Sequence, residues 1–242
     1  MNIEFTKKSE RIFQDKLEEK ILGEKLDYIY NQIGLEFQRI KEKDMQIKGS
    51  DLKFKYKNKE YFADEKNASR YYFKDLKTFS FELSFINSRG KIMDGWFASD
   101  SSITDAYIIN YIRAPEDNNN FQNKIHSIET LIIGKKKINK YIKSLGFNSI
   151  KDLINVFDKA HKEGKTKIHN GIESYFGISD KIHLSKTIRF EEQPLNIIIS
   201  KDILAKLASH RSIAIYHNAK ADSEPKITIY KTCFEKSNSL TA

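Results

Sequence analysis

The triple Asp64-Glu65-Lys66 follows the aromatic run Tyr61-Phe62-Ala63, and a further acid, Asp51, stands shortly before it behind Gly49-Ser50. Acid-x-lysine triples are common in so charged a chain. Seven of the 42 basic residues are arginine and 35 are lysine; with 33 acids, chance gives about five triples. Six occur, beginning at Glu18, Asp51, Asp64, Asp75, Glu163 and Glu224. Context therefore has to select among them, and a second carboxylate on the neighbouring strand selects Asp64.

Leu52, Phe54 and Tyr56 alternate with Lys53, Lys55 and Lys57, and Asn58-Lys59 precedes the next run, which is the pattern of a β-hairpin. Period two puts Phe62, Asp64 and Lys66 on one face and Glu65 on the other, and a short turn brings Asp51 beside them. Two carboxylates and an ammonium then converge. Hard oxygen donors of this kind suit Mg²⁺, with Mn²⁺ able to substitute, and such an ion is usually completed by waters and a substrate phosphate.

The elements that must hold this hairpin follow from periodicity. Apolar residues three or four apart from Phe13 to Ile40 predict one long amphipathic helix over Ser9–Lys41, with breaks at Gly23 or Gly34. Thr78–Ile86 alternates strictly and reads as a strand. Further strands are expected at Ile92–Ala98, Tyr107–Arg113 and Ser127–Ile133, then helices at Lys135–Leu145 and Ile150–His161. A Gly-rich loop over Gly164–Gly177 precedes a strand–helix–strand unit (Leu195–Ile199, Asp202–Ser209, Ser212–Tyr216) and a strand at Lys226–Tyr230. The class is α/β. Pro115–Gln122 is the one internal boundary, dividing a core with its N-terminal helix (1–115) from a C-terminal α/β half (123–242) that can belong to the same domain.

Composition excludes much else. Apolar residues are 39% of the 242, with 10 Gly and 3 Pro, so the chain has a core and is not of the disordered or collagenous classes. A lone Cys233 allows no internal disulfide, and with no signal-like apolar run at the start the expected location is cytoplasmic. No stretch is long enough to span a membrane. Gly134-Lys135-Lys136-Lys137 lacks the first glycine and the hydroxyl of a phosphate loop, and the six histidines have no zinc spacing. A net charge of +9 favours a polyanionic partner, although a lysine-rich coding bias gives the same sum.

The stretch Asp44-Met45-Gln46-Ile47-Lys48-Gly49-Ser50-Asp51, then Asp64-Glu65-Lys66, then Thr78-Phe79-Ser80-Phe81-Glu82-Leu83, resembles the PD-(D/E)xK nuclease superfamily. In that family a helix precedes a hairpin bearing an acid and an acid-x-lysine triple. Ser50 stands where proline is usual, and the triple has a charged middle residue. The resemblance implies a restriction-endonuclease-like core, a central mixed and mainly antiparallel sheet flanked by helices. It implies Mg²⁺ held by Asp51, Asp64 and the Glu65 backbone carbonyl, with Lys66 orienting and helping to deprotonate the attacking water. Glu36 is the candidate for the further metal-binding Glu that the preceding helix often supplies, and Gln46 and Glu82 fall near the site.

The expected activity is Mg²⁺-dependent hydrolysis of DNA phosphodiester bonds, as in a restriction or defence-type endonuclease, with a homodimer allowed. Lys48, and Lys136, Lys140 and Lys143 on one helix face, are the expected backbone contacts. The other readings are a non-catalytic nucleic-acid-binding or regulatory protein on the same fold, and a protein-interaction factor whose charge reflects coding bias alone.

Overall fold

The computed structural model describes residues 22–68, 74–114, 125–216 and 224–231. The segments before residue 22, around Pro115–Gln122 and at Cys233 lie outside them. Among the described residues, helix α1 covers 22–32 and buries Leu22, Leu26, Ile29 and Tyr30. It stops at Gly34, whose φ of +77° is a left-handed cap that glycine adopts at little cost. The expected helix to Lys41 is therefore cut short. Beyond Gly34 the chain is extended, and β1(Phe37–Arg39) pairs with the hairpin strand that follows.

After α2(Lys43–Ile47) comes the expected hairpin, β2(Leu52–Tyr56) and β3(Lys59–Asn67). Its turn residues Lys57 and Asn58 both have positive φ, 49° and 59°, the primed turn whose twist matches that of the strands. A seven-stranded sheet is completed by β6(Ala106–Arg113), β7(Ser127–Gly134), β12(His210–Ile215) and β13(Lys226–Lys231), in the order β1-β2-β3-β6-β7-β12-β13. Only β3 and β6 run parallel, so this sheet is mixed and mainly antiparallel, as expected.

A second sheet was not expected. It is antiparallel throughout, built from β4(Thr78–Ile86), β5(Ile92–Asp94), β8(Lys167–His169), β9(Ile172–Ser179), β10(Ile182–Thr187) and β11(Leu195–Ser200), in the order β5-β4-β11-β10-β9-β8. The presumed Gly164–Gly177 loop is in fact the β8–β9 hairpin, turned by Asn170-Gly171 with φ of 49° and 71°. Helices α3(Lys135–Ser144), α4(Ile150–Lys162) and α5(Lys201–Leu207) complete the chain. The strand–helix–strand unit is present, but α5 carries the chain from one sheet to the other.

The two-sheet architecture follows from strands that are apolar on both faces. Along β6 the run Ala-Tyr-Ile-Ile-Asn-Tyr-Ile is buried throughout. Ile108 and Ile112 meet α1 and the hairpin, whereas Tyr107, Ile109 and Tyr111 meet Phe81, Leu83, Ile197 and helices α3 to α5. Both sheets draw strands from both sides of residues 115–122. No helix among the described residues is long and apolar enough to cross a membrane.

Candidate active site

Asp51 and Asp64 meet because the hairpin register pairs Leu52 with Ala63, which sets the next residues on each strand side by side. Asp51 N–H donates to the Ala63 carbonyl (2.9 Å), and its carboxylate accepts from Glu65 N–H (2.8 Å). Asp64, only 2% exposed, faces it on the side where the two sheets pack. Lys66, two residues on and so on the same face, ion-pairs with Asp64 at 2.8 Å and lies over the Trp96 ring at 4.6 Å.

Burial pushes the Asp64 carboxyl up to about 7; Lys66 pulls the other way, and Asp51, hydrogen-bonded beside it, pushes it up again. Two acids of like charge held together in a buried place are costly unless a proton or a cation lies between them. Lys66 supplies part of that charge. Glu82 on β4 completes the wall: its carboxylate accepts from the Trp96 backbone N–H, burial raises its pKa, and Lys66 acts on it electrostatically.

On the reverse face, Glu65 is anchored by Tyr30 Oη (2.8 Å) and Arg39 (3.2 Å), and Arg39 is held in turn by Asp27 (2.6 Å). Asn110 donates to Tyr30 Oη and to Asn67, and Thr130 donates to Asn110. This network ties α1, β1, β3, β6 and β7 together directly behind Asp64 and Lys66.

Gly49 shapes the approach. Its φ is +80°, and a Cβ there would stand 2.9 Å from Thr104 Oγ1 and 3.9 Å from Asp64 Oδ2, so only glycine lets the loop close over the acids. Thr104 Oγ1 donates to the Gly49 carbonyl.

The hairpin thus brings together Asp51, Asp64, the Glu65 backbone and Lys66, with Glu82 adjoining. Glu36 is not among them. With α1 ended at Gly34, Glu36 lies in extended chain against the far end of β2, exposed and paired with Lys55 at 3.0 Å. Gln46 sits on α2, exposed, donating to the Ile40 carbonyl rather than facing the acids. Lys48 is exposed beside Gly49, and Lys136, Lys140 and Lys143 are exposed along α3 opposite buried Ile138 and Ile142.

Sequence reading missed Trp96, Tyr107 and Lys135. Tyr107 is buried, its hydroxyl unpartnered among the described residues and its pKa raised by burial and by Asp64. Lys135, half-buried at the start of α3, has its pKa lowered by burial, with Asp100, Asp64 and Asp105 opposing. Only the three-lysine run flagged its neighbourhood.

Among the described residues no three His, Cys, Asp or Glu side chains are disposed around one point. The pair Asp51 and Asp64 nonetheless suits Mg²⁺, which is commonly held by one or two carboxylates and finished by substrate phosphate. No family model, curated protein or solved structure matches the chain.

Proposed function

We propose that the chain is a divalent-metal-dependent nuclease that hydrolyses phosphodiester bonds, DNA being the expected substrate, in the manner of the PD-(D/E)xK enzymes its hairpin resembles. The observation that carries this reading is the convergence of Asp51, buried Asp64 and Lys66 on one face of one hairpin. Asp51 and Asp64 would hold Mg²⁺ or Mn²⁺, with the Glu65 carbonyl as the further oxygen the resemblance implies. The ion, when bound, supplies Lewis-acid stabilisation of the charge that builds on the phosphate. Lys66, fixed between Asp64 and Trp96, orients the attacking water and helps to remove its proton. Glu65, clamped from behind by Tyr30 and Arg39, keeps the strand from rotating under the two acids. The exposed lysines of α3 give a sequence-independent grip on the backbone.

The competing reading, a nucleic-acid-binding module without chemistry, draws on one observation: Lys66 is already satisfied by Asp64 and Trp96, as a purely structural lysine would be. Purified protein incubated with single-stranded, duplex and branched DNA and with RNA, in Mg²⁺ or Mn²⁺, separates the two. Cleavage that Asp64→Asn and Lys66→Met each reduce by orders of magnitude supports the nuclease. Every substrate left intact by the wild type refutes it.

A further inference from the structure

Beside the acid pair lies a cavity of about 460 Å³, large enough for a small organic ligand. One wall is aromatic: Phe54 and Tyr61 stack with ring centroids 5.5 Å and planes 19° apart. The other wall is the first turn of α3 and the loop before β6. There Asp105 accepts from Phe62 N–H at 3.0 Å, and Asn139 has a buried amide oxygen with no hydrogen-bond partner among the described residues.

The α3 turn has Gly134 at its N-cap with no side-chain cap, begins with three lysines and contains no acid. Lysines there oppose the helix dipole, a cost that an anion relieves. Lys135 lines the cavity and forms no ion pair among the described residues.

The cavity also adjoins the acids. Thr104 lines it, and the Gly49 position that nearly touches Thr104 Oγ1 lies 3.9 Å from Asp64 Oδ2. Lys135 acts electrostatically on Asp64 and on Asp105, one in the acid site and the other in the cavity wall.

We propose that this cavity takes one unpaired nucleotide of the substrate strand. Its base lies against Phe54 and Tyr61 with Asn139 at the base edge, and its phosphate lies at Lys135 and the start of α3. The inference rests on the nuclease reading for what happens next door, since the neighbouring phosphodiester then falls at Asp51 and Asp64. A base stacked and paired in a duplex cannot enter, so the substrate class is single-stranded, flapped or base-flipped nucleic acid. Aromatic stacking tolerates any base, and an amide edge offers one donor and one acceptor for discrimination.

The test is binding of nucleoside 5′-monophosphates to the full chain in metal-free buffer, followed by NMR and calorimetry. Saturable binding at or below millimolar concentration is expected, with inorganic phosphate and ribose 5-phosphate at least tenfold weaker. Asn139→Ala and Tyr61→Leu should each weaken binding at least tenfold, and Asn139→Ala alone decides if Tyr61→Leu fails to fold. No binding at millimolar nucleotide, equal binding of inorganic phosphate, or wild-type affinity in Asn139→Ala overturns the proposal. Asp64→Asn should bind the nucleotides as the wild type does. A chain that binds them and cleaves nothing therefore loses the nuclease reading alone, and one that cleaves but binds no mononucleotide loses only this inference.

Discussion

Replacing Lys66 by Met keeps most of the aliphatic stem and deletes the charge beside Asp64, and the resulting loss of stability should depend strongly on pH. With Lys66 present the buried Asp64 carboxyl has a pKa of about 7, above its ordinary value of 3.8. A raised pKa contributes stability that is complete below about pH 4, is lost as pH rises, and stops being lost once the native carboxyl itself ionises near pH 7. Without Lys66, burial and Asp51 push the carboxyl higher still, so it remains protonated and the loss continues. The difference between the two proteins is then the ionisation free energy that Lys66 makes available. It is negligible at pH 6, less than about 1 kcal/mol at pH 7, roughly 1 to 2 kcal/mol at pH 8 and about 3 kcal/mol at pH 9. Loss of the contact with Trp96 adds about 0.5 to 1 kcal/mol at every pH. Urea unfolding followed by circular dichroism at pH 6, 7, 8 and 9 measures this, and in an Asp64→Asn background the pH-dependent part should vanish. A cost that is flat across this range, or already several kcal/mol at pH 6, would refute Lys66 as the counter-ion of a carboxyl poised near neutrality.

Gly49→Ala meets both a left-handed backbone and Thr104 Oγ1, and should cost about 1 to 3 kcal/mol with a matching loss of activity; an unchanged melting temperature would show that the loop is not held as described. Neutralising Lys136, Lys140 and Lys143 together to Gln should weaken duplex DNA binding evenly across sequences and lower the magnitude of the salt slope by nearly 3, so an unchanged slope removes α3 from the interface. Burial depresses the His210 pKa to about 4, so stability present above about pH 6.5 should drain away as pH falls toward 4, by about 3 kcal/mol. His210→Gln should flatten that part of the acid-unfolding profile, and an identical acid midpoint would contradict it.

Strict alternation made the hairpin and Thr78–Ile86 legible, because period two fixes which side chains are buried together whatever lies above them. It could not say which sheet a strand joins. Phe79, Phe81 and Leu83 read equally well as part of a single central sheet, and only the burial of both faces of Ala106–Arg113 creates room for a second one. Glu36 was misplaced because the apolar spacing continues from Ile33 through Phe37 to Ile40, a coincidence that pairing with β2 overrides. The Asn170-Gly171 turn did have a sequence signature, hidden inside a segment rich in glycine and lysine. Lys135 was illegible because it is one of three adjacent lysines, and only tertiary packing makes it half-buried while Lys136 and Lys137 stay in water.

The parallel pairing of β3 with β6 separates when the acids meet from when they become unusual. Asp51, Asp64 and Lys66 belong to a hairpin that closes locally, on the microsecond scale of such elements. The burial that raises Asp64 waits for β4 and β5 to leave the first sheet and for β6 to return beside β3. The bond from Asn110 to Tyr30 spans 80 residues and that from Lys201 to Glu129 spans 72. Such distant closures dominate the search time of a chain. In an incompletely folded molecule the two carboxylates are therefore already neighbours but still wet, with nothing to shift their titration. Only the last docking events turn an ordinary acidic hairpin into a reactive one, so a nascent chain carries the site in a harmless form until it is nearly native.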